Sequence, residues 1–121
     1  MSEVVSFKFE NLRIWQDSMD LAEDIFVLSD KFPQHEIYNL TSQIRRASDS
    51  IALNISEGSI LQSKPEYLLF LGYSVRSLAE VVTCLHKAKR REYIGVELFG
   101  DFYRRCFNLK NMIIGFRNKL S

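Results

Sequence analysis

The chain has 121 residues and a net charge of +1; hydrophobic residues make up 46% and charged residues 26%. That balance excludes a disordered chain and suffices for one domain, spanning residues 1–121, around a single core. No apolar run approaches the roughly 20 residues of a membrane-crossing helix, and MSEVVSFKFE has the features of neither a signal nor a transit peptide, so no membrane partner and a cytoplasmic location are expected. The charge is sorted along the chain: −5 over residues 1–38, zero over 39–58 and +6 over 59–121. Such sorting fits an acidic face meeting a basic one, within or between subunits, or a local basic patch for an anionic partner.

Apolar periodicity predicts four helices, at about 12–28, 40–57, 64–90 and 97–120, and no strand. In the first, Trp15, Met19, Ala22 and Phe26 form one stripe and Ile14, Leu21, Ile25, Leu28 and Phe32 an adjoining one. Asp17, Asp20 and Asp24 lie opposite as a solvated acidic ridge. Pro33 stops this helix, because the residue before a proline avoids helical geometry. The second helix is expected to start near Asn39 or Thr41 and to end at Gly58, a residue favoured just past a helix terminus. Ser59 to Gln62 then reads as a linker. Ser63-Lys64-Pro65-Glu66 reads as a capping box with proline in the first turn. Tyr93-Ile94-Gly95 separates the third helix from the fourth. Four helices with three short connections predict an all-α, antiparallel up-down-up-down bundle.

The second helix carries an unusual run, QIRRASDSIALNISEG, from Gln43 to Gly58. Leu40, Ile44, Ala47, Ile51 and Ile55 form its core stripe, and Gln43, Ser50, Asn54 and Glu57 a polar stripe beside it. Small side chains with hydrogen-bonding groups predict close approach of a neighbouring helix along a polar margin. Arg45 and Asp49, four residues apart, are placed to pair on the outer flank. Elsewhere the apolar arcs are wider than one bundle hides. The fourth helix has a second stripe of Tyr103, Phe107, Lys110, Ile114 and Arg117; Leu53 and Leu69 also fall outside their core arcs. Wide arcs predict contact with another surface.

At these residues the chain resembles a known family. Phe9-Glu10-Asn11-Leu12, Trp15-Gln16, Phe32-Pro33 and Glu36 lead into the Gln43–Gly58 run. Ser63, Tyr67, Phe70-Leu71, Ser77-Leu78 with Glu80, and Tyr93-Ile94 follow. This pattern, carried most specifically by Trp15, Gln43, Arg45, Arg46, Asn54, Glu57 and Gly58, is similar to that of the 23S ribosomal RNA intervening-sequence proteins. The resemblance runs from about Phe7 to Leu120. It implies a small bacterial four-helix bundle that assembles as a homopentamer, without established enzymatic activity, and related to a retroelement accessory protein that works with RNA. Two departures, Ile60-Leu61 after the Glu-Gly pair and Asp49 near Arg45, lower the positive charge around the second helix.

No phosphate loop, dinucleotide turn, zinc motif or other cofactor signature is present, and His35 and His86 lack the spacing of ligands or bases. Cys84 and Cys106 read as buried thiols. No enzyme, cofactor, metal site or small-molecule substrate is therefore expected. Two functional readings remain. In one, the oligomer binds structured RNA through Lys87, Lys89, Arg90 and Arg91 at the end of the third helix and Arg104, Arg105, Lys110 and Arg117 on the fourth. In the other, the chain is a protein-interaction scaffold. Leu53, Tyr103, Phe107 and Ile114 are the expected subunit contacts in either case.

Overall fold

A computed structural model describes residues 5–60 and 63–121. The periodic segments form α1 (Arg13–Ser29), α2 (Leu40–Ile60), α3 (Lys64–Arg90) and α4 (Val96–Leu120). Short 3-10 turns at Lys8–Asn11 and Gln34–Glu36 precede α1 and α2, and the described residues contain no strand. Each helix packs on its neighbours in the cyclic order α1–α2–α3–α4–α1, and among the described residues the backbones of the diagonal pairs come no closer than 8 Å between α-carbons. Between α2 and α3 the contacts run in opposite directions, Ser50 meeting Ser77 and Gly58 meeting Phe70. Between α3 and α4, His86 meets Phe99 and Tyr67 meets Phe116. The chain thus forms a four-helix bundle whose successive helices run antiparallel.

The core is built from one edge of every helix. Leu21 and Ile25 of α1, Ile44, Ile51 and Ile55 of α2, Leu71, Val81 and Leu85 of α3, and Ile113 of α4 are fully buried. Each such side chain stabilises the fold by about 1.5–3 kcal/mol relative to exposure. Of the two stripes on α1, the one containing Leu21 and Ile25 faces this core. Met19 and Phe26 of the other remain exposed.

At the start of α3 the Ser63 hydroxyl accepts the Glu66 backbone N–H at 3.2 Å and Pro65 occupies the first turn, so one half of the expected capping box forms, without a return bond from the Glu66 side chain. The end of α2 is a correction. The helix continues through Gly58 to Ile60, because this glycine serves packing rather than termination. Leu61 and Gln62, the rest of the expected linker, lie outside the described residues. A second correction concerns hydropathy. An 18-residue window of α3 has a mean hydropathy of 1.5, long and apolar enough to cross a membrane by length and composition alone. In the bundle only 39% of that window is buried.

Candidate interaction surfaces

The Gln43–Gly58 run forms the tight α2–α3 contact. The Ser50 hydroxyl donates to the Ala47 carbonyl at 2.8 Å and lies 2.6 Å from the Ser77 hydroxyl, while Ser74 donates across the interface to the Ile51 carbonyl at 2.9 Å. Asn54 turns back to the Ser50 carbonyl at 2.9 Å. At Gly58 a β-carbon would lie 2.7 Å from the Phe70 β-carbon, closer than atoms can pack. Short hydroxyl side chains and a missing side chain therefore let two backbones approach while every hydroxyl finds an acceptor.

Arg45 does not pair with Asp49. Its guanidinium reaches α1 instead, donating to the Ser29 hydroxyl at 2.7 Å, the Phe26 carbonyl at 3.2 Å and the Asp30 carboxylate at 3.4 Å, and lying 4.2 Å from the centre of the Phe26 ring. A half-buried cation thus satisfies the last turn of α1, where the helix dipole favours positive charge. Trp15 packs edge-on against Phe9, and Gln16 donates to the Glu10 carbonyl at 2.8 Å, which anchors the first 3-10 turn to α1.

Glu36, only 4% exposed, joins both interhelical connections at one pole. One carboxylate oxygen accepts from Tyr93 at 2.6 Å and Arg91 at 3.0 Å; the other accepts from Asn39 at 3.0 Å and the Leu40 backbone N–H at 3.4 Å. The Tyr93 hydrogen bond is the main reason its pKa falls from 4.5 to about 2, and burial opposes the shift. The same bond raises the Tyr93 phenol above its ordinary value. Glu36 and Tyr93 appeared in the sequence only as parts of a family pattern, and their partnership across 57 positions left no local signal.

Of the cations expected to meet RNA, several have internal partners. Arg91 holds Glu36; Arg104 pairs with Asp101 at 2.8 Å; Arg105 pairs with Asp24 at 2.8 Å; Arg117 donates to the Leu68 carbonyl at 2.8 Å. The Asp24 pair shows that the acidic ridge is not wholly solvated. Lys89 lies 4.6 Å over Phe99 and Lys110 4.2 Å over Phe107. Among the described residues Lys87, Arg90 and Arg46 have no ion-pair partner, so neither Asp49 nor Glu57 holds Arg46. Arg46 and Lys87 both line an open α2–α3 groove of about 770 Å³, together with Gln43, Ser50, Ser77 and Glu80. Sequence periodicity gave no indication of this groove.

The expected subunit contacts are exposed: Leu53 at 55%, Phe107 at 48%, Tyr103 and Ile114 at about two-fifths. Tyr103 and Phe107 border a second groove of about 430 Å³ between α3 and α4, whose other walls include Val75, Val82 and Lys110. Leu53 stands apart from them on the diagonal helix. Cys106 lies beneath this groove with its thiol pushed up to about 12 by burial, and the Cys84 thiol is raised for the same reason. Neither is a ready nucleophile. No group of three or more His, Cys, Asp or Glu side chains among the described residues is arranged to hold a metal ion.

An antiparallel bundle with a hydroxyl-lined α2–α3 seam and exposed apolar side chains on its outer faces defines a class of small helical proteins. The chain belongs to the 23S rRNA-intervening sequence protein family, whose pattern matches residues 10–115. It is similar in fold to a protein of unknown function from the S23 ribosomal protein family of Bacteroides thetaiotaomicron, with 22% identity and a TM-score of 0.80 over 87% of this chain and 95% of that one. No curated protein matches it.

Proposed function

We propose that this protein is a non-enzymatic, cytoplasmic, self-assembling bundle, a homopentamer, that binds structured RNA. The observation that carries the RNA reading is the cluster of unpaired cations at the pole where α2 begins and α3 ends. Arg46, Lys87 and Arg90 stand there free of carboxylate partners among the described residues, beside Lys89. Free cations release counterions from a phosphate chain, whereas those already paired gain little by exchange. Arg91, Arg104, Arg105 and Arg117 therefore serve the fold first. Repetition around an oligomer would multiply a modest patch. The names of the family and of the structural neighbour, which refer to ribosomal RNA and a ribosomal protein, support the same direction.

The internal pairing of those four arginines favours a second reading, a protein scaffold without a nucleic-acid role. Native mass spectrometry of gently purified protein, without nuclease treatment, separates the two. The RNA reading expects an oligomer carrying RNA that is lost as salt rises from about 50 to 200 mM, and no RNA on a Lys87→Ala, Lys89→Ala, Arg90→Ala variant. An oligomer free of RNA at low salt would reject it in favour of the scaffold.

A further inference from the structure

We propose that the α2–α3 groove is a nucleotide site, in which Arg46 and Lys87 take the phosphate and Glu80 the donor edge of the base. The nucleotide is an unpaired one within RNA, in which case the site rests on the reading above, or a free nucleoside monophosphate.

The register of the two helices orders the lining. Ser50 meets Ser77 at one end of the groove, and the helices run antiparallel. Counting from that contact toward the start of α2, Arg46 and Glu80 come next, Gln43 and Cys84 follow, and Lys87 is last. Glu80 and Lys87, two helical turns apart, are separated by about 10 Å along the axis, the scale of one nucleotide from base edge to phosphate. A groove of about 770 Å³ also falls within the size range of small-molecule sites.

The charged groups here do not neutralise one another. Arg46, Glu80 and Lys87 share the groove, yet none has an ion-pair partner among the described residues. The groove between α1 and α4 differs, for its Arg13 is paired with Asp17 and its Arg105 with Asp24. Two cations and a separate carboxylate match a ligand with an anion at one end and N–H donors at the other. Between them the lining is short, with Ala47 beside Ser50, Ser77 and Thr83. Ser50 and Ser77 bond each other, and Thr83 donates to the Ala79 carbonyl at 2.9 Å. Methyl groups and satisfied hydroxyls present little competing polarity to the flat face of a base.

Glu80 also sets a preference among bases. A carboxylate only accepts, so it selects a base by its N–H groups. Guanine offers N1–H and its 2-amino group side by side and suits Glu80 best. Uracil, whose one N–H lies between two carbonyls, suits it least. Only an unpaired base exposes that edge.

Fluorescence anisotropy with three RNA hairpins of one stem tests this: one fully paired, one with a bulged guanine, one with a bulged uracil. The guanine bulge should bind about 10-fold more tightly than the other two. Glu80→Gln, at an exposed position, should bring the three level, whereas a merely electrostatic effect of Glu80 would shift all three by the same factor. Guanosine monophosphate, followed by amide NMR shifts, tests for the free nucleotide. Shifts at Gln43, Glu80 and Lys87 with no hairpin bound would keep the site and reject the RNA reading. Hairpins bound equally, with no shift by guanosine monophosphate, would overturn the site and keep the RNA reading. Binding of neither probe would overturn both.

Discussion

Gly58 and Glu36 show how much single positions control in this molecule. A methyl group at Gly58 would press on the Phe70 β-carbon, and the small gain of alanine in helix propensity cannot offset that clash. Gly58→Ala should destabilise by about 1–3 kcal/mol in urea unfolding. At Gly72, by contrast, a β-carbon meets nothing within 4 Å. Gly72→Ala should therefore stabilise by about 0.5–1 kcal/mol, and equal effects at the two positions would refute the packing role of Gly58. For Glu36 the consequence is a pH dependence. Its folded pKa of about 2 lies below its ordinary 4.5, so its contribution is fully present above about 4.5 and is lost as pH falls toward 2. Thermal melts should show parental stability falling through that window, and Glu36→Gln should flatten the fall while lowering stability at neutral pH.

At the scale of whole helices, Arg45 joins α1 to α2 in addition to their shared core. With 23% of its side chain exposed, the guanidinium serves three acceptors and one ring at once. Arg45→Leu should destabilise by about 1–2 kcal/mol, and Arg45→Lys should restore little of it, because an ammonium cannot match a planar fork stacked on an aromatic face. Equal stability of Arg45→Lys and the parent in urea unfolding would contradict this role. Sequence periodicity located all four helices because each has a full core edge. It misplaced the end of α2 because a glycine that ends a helix and one that admits a neighbour look alike until the neighbour is known. Arg45 was assigned to Asp49 because spacing reveals partners within a helix, while Ser29 and Phe26 belong to another helix. The same limit hid the Asp24–Arg105 pair and the α2–α3 groove, each of which exists only once two helices are set side by side.

For the molecule as a whole, the apolar flanks make stability a property of concentration as well as of sequence. Association stabilises folded chains by mass action, so the melting temperature should rise by several degrees over a hundredfold increase in protein concentration. A melting temperature that does not move would argue that the exposed side chains stay in water. The wide apolar arcs were legible in the sequence. The groove between α3 and α4 that Tyr103 and Phe107 border was not, since it exists only once those two helices are set side by side.

The Glu36 contacts carry one more consequence, in how the fold would bear load. By binding Tyr93 and Arg91, this carboxylate closes a non-covalent loop around α2 and α3 and leaves α1 and α4 outside it. Tension applied at the outer ends of α1 and α4 would reach those two helices first and be stopped at the Glu36–Tyr93 knot. Under a pulling force the bundle should therefore peel its first and last helices before the inner pair yields, and loosening the knot at low pH should merge those two events into one.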